Sequence, residues 1–208
     1  MKLLREYIRE LLTESIDSKI MSMIDRAEAA GFKAYVKGGY AAIYDPTVDV
    51  SDRSPGYVGS ANRVAGVMWN HVSTGEFGFP CSGARAVSIS GSKDFGMGPL
   101  AYDLAIEASG GLMSDRSEVS SDARAVWDYY MKNRPDVIKQ QLDDENNWLT
   151  PDREDNCSQD IEGTGGTAVD MYPDNPRAWV DSSLSKVYKK SGTPVMDELR
   201  RRGMLEER

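Results

Sequence analysis

The chain has 208 residues, 40% of them hydrophobic and 28% charged, a composition that fills one globular core and excludes disorder throughout. With 25 Lys and Arg against 33 Asp and Glu, the formal net charge is -8, which argues against nucleic-acid binding through a broad basic face. Two cysteines and a single histidine, His71, argue against a disulfide framework and against a zinc site.

The first 14 residues predict a short amphipathic helix, because their apolar residues recur at helical spacing. A helix of this length cannot bury such a stripe alone. It must therefore dock on its own domain, on another chain or on an assembly. The apolar positions are Leu3, Leu4, Tyr7, Ile8, Leu11 and Leu12.

No stretch reaches the roughly 18 apolar residues of a membrane span, and the start of the chain lacks a continuous apolar region of the signal-peptide type. We therefore expect a protein that is not secreted and that stays in the cytoplasm of the cell that makes it.

The next elements alternate between helical and strand patterns. A helix is predicted over 18–30, with Ile20, Met23, Ile24 and Ala27 on one face and Gly31 as its stop. Strands are predicted over 32–36, 40–44, 63–71 and 84–90, with a polar surface loop between the second and the third.

The second half begins with a glycine-containing turn and a helix that ends at Gly110 and Gly111. A short strand at 112–113 follows, and then a helix over 122–133 that Ser120 or Ser121 caps. Residues 143–176 are rich in Asp, Asn, Gly and Pro and predict a long irregular segment. A strand between 179 and 188 and a helix over 196–204 complete the pattern.

The turn Lys93-Asp-Phe95-Gly96-Met97-Gly98 stands between a strand and a helix. Backbone amides at such a helix start converge on an anion, helped by the positive end of the helix dipole. The same turn also occurs where only tight geometry is needed. It is neither the longer dinucleotide fingerprint nor a P-loop, because a third glycine and a Gly-Lys-Ser or Gly-Lys-Thr are missing.

The turn resembles the signature of the GNAT N-acetyltransferase superfamily: Arg or Gln, two residues, Gly, one residue, and Gly or Ala, between the fourth strand and the third helix. Lys93 stands at the Arg or Gln position, and Gly96 and Gly98 are in register. The resemblance implies that the amides of residues 95–98, with Lys93, hold the pyrophosphate of acetyl coenzyme A. Pro99 removes one amide from this cradle.

The helix over 122–133 resembles a second family pattern: Asn, two residues, Ala, three residues and Tyr. Asp122, Ala125 and Tyr129 occupy these positions. The resemblance implies that Tyr129 is the general acid that protonates the leaving thiolate of coenzyme A. From the residues alone, Tyr129 is equally a core aromatic beside Trp127. For the general base we select Glu76, with His71 and Asp103 as other available groups.

The resemblance implies an α/β (α+β) fold with a GNAT-like mixed, mostly antiparallel central sheet flanked by helices. We expect an N-terminal helix over 1–14, a GNAT-like core over 15–142 and an irregular acidic extension over 143–208. The function implied is that of an acetyl-coenzyme-A-dependent N-acetyltransferase without a metal. The acidic balance suits a cationic acceptor, either a small-molecule amine or a lysine side chain.

The segment over 1–14 and several later stretches are similar to acetyltransferase-like proteins of large tailed bacteriophages. This resemblance implies a phage-encoded protein of the bacterial cytoplasm that is packaged in the virion through Leu3, Tyr7, Ile8 and Leu11. It also leaves open the alternative of a non-catalytic virion or assembly protein that retains the fold.

Overall fold

The computed structural model describes residues 16–48, 59, 61–72, 83–91, 95–115, 119–142 and 178–207. Their helices are α1 (Ser18–Ala29), α2 (Gly98–Ser109), α3 (Ser121–Asn133), α4 (Ala178–Asp181) and α5 (Pro194–Arg201). Their strands are β1 (Lys33–Lys37), β2 (Tyr40–Tyr44), β3 (Arg63–Val72), β4 (Gly83–Gly91), β5 (Leu112–Met113), β6 (Ile138–Gln141), β7 (Lys186–Lys189) and β8 (Leu205–Glu207).

The eight strands form one mixed sheet in the order β6-β7-β5-β4-β3-β2-β1-β8. The pairs β1–β2, β2–β3, β5–β7 and β6–β7 are antiparallel, whereas β1–β8 and β4–β5 are parallel. The mixed α/β class expected from the sequence is confirmed. The emphasis on antiparallel pairing is corrected, because α2 and α5 each return the chain to a strand that runs parallel to its neighbour.

The chain divides into two compact units: residues 1–68, 89–108 and 190–208 in the first, and 69–88 and 109–189 in the second. In the first unit, α1 carries the predicted stripe, and Ile20, Met23, Ile24 and Ala27 are all buried. The carboxylate of Asp17 caps this helix by accepting from the amides of Lys19 and Ile20. The domain boundaries expected after residues 14 and 142 stay predictions.

The helix α2 is buried along almost its whole length, since every residue from Leu100 to Glu107 is buried. A helix that is buried on all sides is expected to be apolar all round, and α2 departs from this at two positions. Its two acidic residues, Asp103 and Glu107, therefore need partners inside the first unit.

The second unit is built around aromatic side chains. Trp127, Tyr130 and Tyr188 are fully buried, and the rings of Trp127 and Tyr188 stack with their centroids 5.1 Å apart. Ser120 caps α3 by accepting from the amide of Ala123 at 3.3 Å, which confirms the predicted start of this helix.

No helix within the described ranges is long and apolar enough to cross a membrane.

Candidate functional site

The glycine turn lies between β4, which ends at Gly91, and α2, which begins at Gly98. Gly96 has a φ of 60°, a left-handed conformation that glycine adopts without steric cost. The side chain of Met97 is buried and only 3% exposed, so it anchors the turn on the core of the first unit. The turn over 95–98 is therefore held at the start of a helix.

The backbone amides at this helix start are the groups that a ligand would meet. The first hydrogen bond of α2 runs from the amide of Ala101 to the carbonyl of Met97 at 3.1 Å. The amides of Gly98 and Leu100 belong to the first turn, where a helix supplies no carbonyl partner, and Pro99 has no amide hydrogen. A Cβ atom added at Gly96 or at Gly98 would meet no atom within 4 Å. Among the described residues, neither glycine is thus required by a close contact to its Cα atom.

Phe95 is an exposed aromatic residue beside this turn. Its side chain is 44% exposed, and its ring meets that of Phe32 edge to face with a centroid distance of 5.3 Å. The ring of Phe95, the first residue of the turn, therefore contacts Phe32 on one side and is exposed over part of its remaining surface. Lys93, the predicted phosphate-binding side chain, lies outside the described residues.

Tyr129 belongs to the second unit, whereas the glycine turn belongs to the first. The buried stripe of α3 consists of Ala123, Trp127 and Tyr130. Tyr129 is not on this stripe; it is half-buried, with its ring centroid 5.9 Å from that of Tyr130. Tyr129 is therefore not one of the fully buried aromatic residues of the second unit.

The three candidates for the general base differ in their exposure and in whether the structure describes them. Glu76 lies outside the described residues, and His71 is exposed on β3. Asp103 has a side chain with 0% exposure that lies 3.1 Å from the ammonium of Lys190. This burial removes Asp103 from the groups that can reach a substrate, so its role is structural.

Lys190, Asp103 and Glu107 form a buried ion-pair cluster in the first unit. The Nζ atom of Lys190 lies 2.8 Å from Oε1 of Glu107, and the three side chains are at most 2% exposed. Sequence reasoning missed this cluster, since Lys190 follows Asp103 by 87 residues. The available signal was a pair of carboxylates four residues apart in an otherwise apolar helix, a pattern that calls for a buried cation.

Glu107 also holds the start of α5. Its carboxylate accepts from the amide of Val195 at 3.0 Å and from that of Met196 at 2.8 Å. The residue before the helix, Thr193, makes no capping bond of its own. Burial raises the pKa of Glu107, while Lys190 and the two amides oppose that rise. Glu107 is thus an N-cap supplied by another helix.

Two further cations are buried in the second unit. The guanidinium of Arg134 is fully buried, pairs with Asp136 at 2.7 Å and lies 4.9 Å from the ring centroid of Tyr130. The ammonium of Lys186 donates to the carbonyl of Val180 at 2.6 Å and to further acceptors, and burial lowers its pKa. These contacts fix both side chains in structural roles.

The three consecutive arginines near the end of the chain are neutralised by carboxylates. Arg202 pairs with Asp25, Glu28 and Glu198, and Arg201 pairs with Glu198 at 2.6 Å. Arg200 pairs with Glu207 at 2.7 Å. Their charges link α1, α5 and β8, so this cluster is an internal ion-pair network and not a phosphate site.

Within the part of the chain that the structure describes, no group of three or more His, Cys, Asp or Glu side chains could hold a metal ion. Leu3, Tyr7, Ile8 and Leu11, the residues expected to contact a partner, lie outside that part. Comparisons with protein-family models, with curated proteins and with solved structures find no match to this chain.

Proposed function

We propose that this protein is an acetyl-coenzyme-A-dependent N-acetyltransferase of phage origin that acts on an amine acceptor. The observation that carries the proposal is the turn over 95–98. It follows the fourth strand of the sheet, contains Gly96 at positive φ and leads directly into α2, and no described atom lies within 4 Å of a Cβ atom added at Gly96 or Gly98. A pyrophosphate is bound well by free amides at a helix start, by the helix dipole and by a backbone that it can approach closely.

The backbone of the turn would hold the cofactor, while its side chains play different parts. Met97 would contribute only its backbone, because its side chain is buried. Phe95 would lie beside the bound molecule, and Lys93 would supply a positive point charge to the phosphates. Pro99 costs the cradle one amide but suits the first turn of the helix.

The proposed reaction is a direct transfer of the acetyl group. The acceptor amine attacks the thioester carbonyl, so that an N–C bond forms and the C–S bond breaks. The amine loses one proton to a general base and the leaving thiolate gains one from a general acid, and the residues that the sequence predicts for these two roles are Glu76 and Tyr129. Acetyl coenzyme A supplies the activated acyl group, and the acceptor is a small-molecule amine or a lysine side chain.

The test is calorimetric titration of the full chain with acetyl coenzyme A, for wild type and for Gly98→Asp. The added carboxylate would lie at the start of α2 and repel the pyrophosphate. We expect micromolar binding by wild type and at least a tenfold loss in the variant, with an unchanged circular dichroism spectrum. Ser121→Asp is the matched control, because it adds a carboxylate to the exposed first turn of α3 and should bind like wild type.

Each outcome of the titration has a distinct meaning. Equal affinity of wild type and Gly98→Asp would show that the turn does not hold the cofactor. No binding by wild type would refute the enzyme and favour the alternative of a non-catalytic virion protein. Binding that survives in Tyr129→Phe together with a loss of turnover would support the acid role of Tyr129.

A further inference from the structure

A two-residue glycine turn brings Lys37 and Tyr40 together in the first unit. Gly38 and Gly39 join β1 to β2 with φ values of 50° and 85°, and a hairpin turn of this type requires positive φ at both positions. Lys37 and Tyr40 are therefore opposite each other in the register of the two strands. Side chains at such positions share one face of the sheet, with Cβ atoms about 5 Å apart. The exposed side chain of Lys37 thus extends from the same face as the ring of Tyr40.

Arg63 approaches the same tyrosine from β3. It lies opposite Tyr44 in the register of β2 and β3, and its Nη1 atom donates to the hydroxyl oxygen of Tyr40 at 3.4 Å. Gly66, on the same face, presents no side chain. A Cβ atom there would lie 3.0 Å from Cδ of Arg63 and 2.8 Å from the hydroxyl oxygen of Tyr40. Both side chains therefore lie against the backbone of Gly66, and this contact positions the guanidinium on the sheet.

The Tyr40 cluster, made of Lys37, Tyr40 and Arg63, carries two positive charges. Within the described ranges, neither Lys37 nor Arg63 forms an ion pair with a carboxylate. By contrast, Arg134 and Arg202 are largely removed from water, and each pairs with carboxylates. The guanidinium of a half-buried arginine such as Arg63 loses part of its hydration, and an anion compensates for that loss. The cluster therefore has the charge and the donors of an anion-binding site.

A carboxylate on the same face of the sheet, that of Glu206, is bound elsewhere. Its Oε1 atom accepts from the hydroxyl of Tyr44 at 2.8 Å. Its strand, β8, is three positions from β3 in the order of the sheet, a separation of about 14 Å. Glu206 is therefore too far along the sheet to neutralise Arg63.

The surroundings of the Tyr40 cluster are aromatic and apolar. The ring centroid of Tyr35 lies 6.4 Å from that of Tyr40, with an angle of 57° between the rings, and both side chains are half-buried. On β3, Met68 lies opposite Tyr40 and is 45% exposed. A ligand held by the two cations would thus also meet hydrophobic surface. This combination favours an organic anion with an aromatic part over an inorganic ion.

We propose that Arg63, Lys37 and the hydroxyl of Tyr40 bind the phosphate group of an aromatic phosphate monoester. Such a group carries a charge of about -1.5 to -2 at pH 7, which matches two cations, whereas a carboxylate carries a single charge. The planar guanidinium donates to two phosphate oxygens, and the ammonium supplies a point charge. The Tyr40 hydroxyl accepts from Arg63 and donates its own proton to the ligand. The aromatic part of the ligand lies against Tyr35.

The site contains no residue of the glycine turn and is independent of the function proposed above. The test is a titration of the isotope-labelled full chain with phenyl phosphate, followed by NMR. We expect saturable shifts of the amide signals of Tyr40 and Gly66. No shifts, or saturable shifts centred on other residues, would overturn the site.

Two related ligands test the chemistry of the site. Phenyl sulfate has the shape of phenyl phosphate but a single negative charge, and inorganic phosphate lacks the ring. We expect both to bind about tenfold or more weakly than phenyl phosphate. Equal affinity for phenyl sulfate would overturn the requirement for a doubly charged group. Equal affinity for inorganic phosphate would overturn the contact with an aromatic part.

Substitutions identify the cations that hold the phosphate. Arg63→Gln and Lys37→Gln should each weaken phenyl phosphate binding about tenfold or more. Arg63→Lys should recover only part of the loss, because an ammonium lacks the planar pair of donors. Lys37 is exposed, so Lys37→Gln tests the site even if Arg63→Gln does not fold.

Arg124→Gln is the matched control, because Arg124 is an exposed arginine on α3 of the second unit. It should bind phenyl phosphate like wild type. An equal loss in Arg124→Gln would show that binding depends only on the net charge of the chain. Wild-type affinity in both Arg63→Gln and Lys37→Gln would likewise overturn the proposal.

Discussion

Replacement of Lys190 by methionine is the most informative perturbation of the first unit. It removes the ammonium that lies 3.1 Å from Asp103 and 2.8 Å from Glu107 and leaves two carboxylates buried without their cation. Removal of one partner from a buried ion pair destabilises a protein by about 3 to 5 kcal/mol. For a chain of this size, this loss lowers the melting temperature by roughly 6 to 20 °C.

The pH dependence of that loss provides a sharper check. The raised folded-state pKa of Glu107 means that its contribution to stability is complete below about 4.3, the ordinary pKa of Glu. That contribution is lost as the pH rises through the raised value. Without Lys190 the pKa of Glu107 rises further, so the free-energy difference between wild type and variant should be larger at pH 7 than at pH 5.

The measurement is urea unfolding followed by circular dichroism at both pH values. Lys189→Met is the matched control, because this neighbouring side chain is only partly buried and bonds to Gln140; we expect it to cost less than about 1 kcal/mol. Conversion of Asp103 to Asn and Glu107 to Gln within Lys190→Met should recover part of the stability. A loss below about 1 kcal/mol for Lys190→Met at pH 7 would refute the reasoning.

Four further substitutions follow from particular contacts. Gly66→Ala would place a Cβ atom 2.8 Å from the Tyr40 hydroxyl and should lower the free energy of unfolding in urea by about 1 to 3 kcal/mol. The Cβ atom of Gly98→Ala would meet no described atom within 4 Å, so this change should be neutral or should raise that free energy by up to about 1 kcal/mol. Ser120→Ala removes the cap of α3 and should cost about 0.5 to 2 kcal/mol in the same assay; no change would show that the cap is dispensable. The hydrogen bond from Arg201, opposed by burial, lowers the pKa of Glu198. The contribution of Glu198 to folding stability is therefore present above the ordinary Glu pKa and is lost as the pH falls through the lowered value. Glu198→Gln should flatten the acid side of a plot of stability against pH, and an unchanged acid side would contradict this assignment.

Local sequence patterns predicted those elements whose signals lie within the element. The stripe and glycine stop of α1, the cap of α3, and the strand pattern of β3 all lie within a few residues of each other. The sequence predicts the last helix over 196–204, but it spans Pro194–Arg201, since Gly203 at a φ of 66° ends it. The signal for this end is in the sequence, because the prediction wrongly includes that glycine in the helix.

The elements that sequence reasoning missed depend on distant partners. β6 reads Ile-Lys-Gln-Gln and becomes a strand because it pairs with β7. β8, only three residues long, pairs in parallel with β1, which lies near the other end of the sequence. Short polar stretches of this kind have no periodicity of their own. The turn at Gly96 is correctly predicted, because its signal lies entirely within the turn. β6 is missed, because its signal lies in its partner strand.

The cap that Glu107 provides to α5 sets an order of events during synthesis. A helix of eight residues without a side-chain cap of its own is too short to persist alone. The amides of α5 leave the ribosome 88 to 89 residues after Glu107. Throughout that interval Asp103 and Glu107 lack their partners in the later part of the chain. Burial of α2 would then cost free energy, because two carboxylates would leave water without those partners. The first unit should therefore close only after translation has passed α5, as a late and cooperative step.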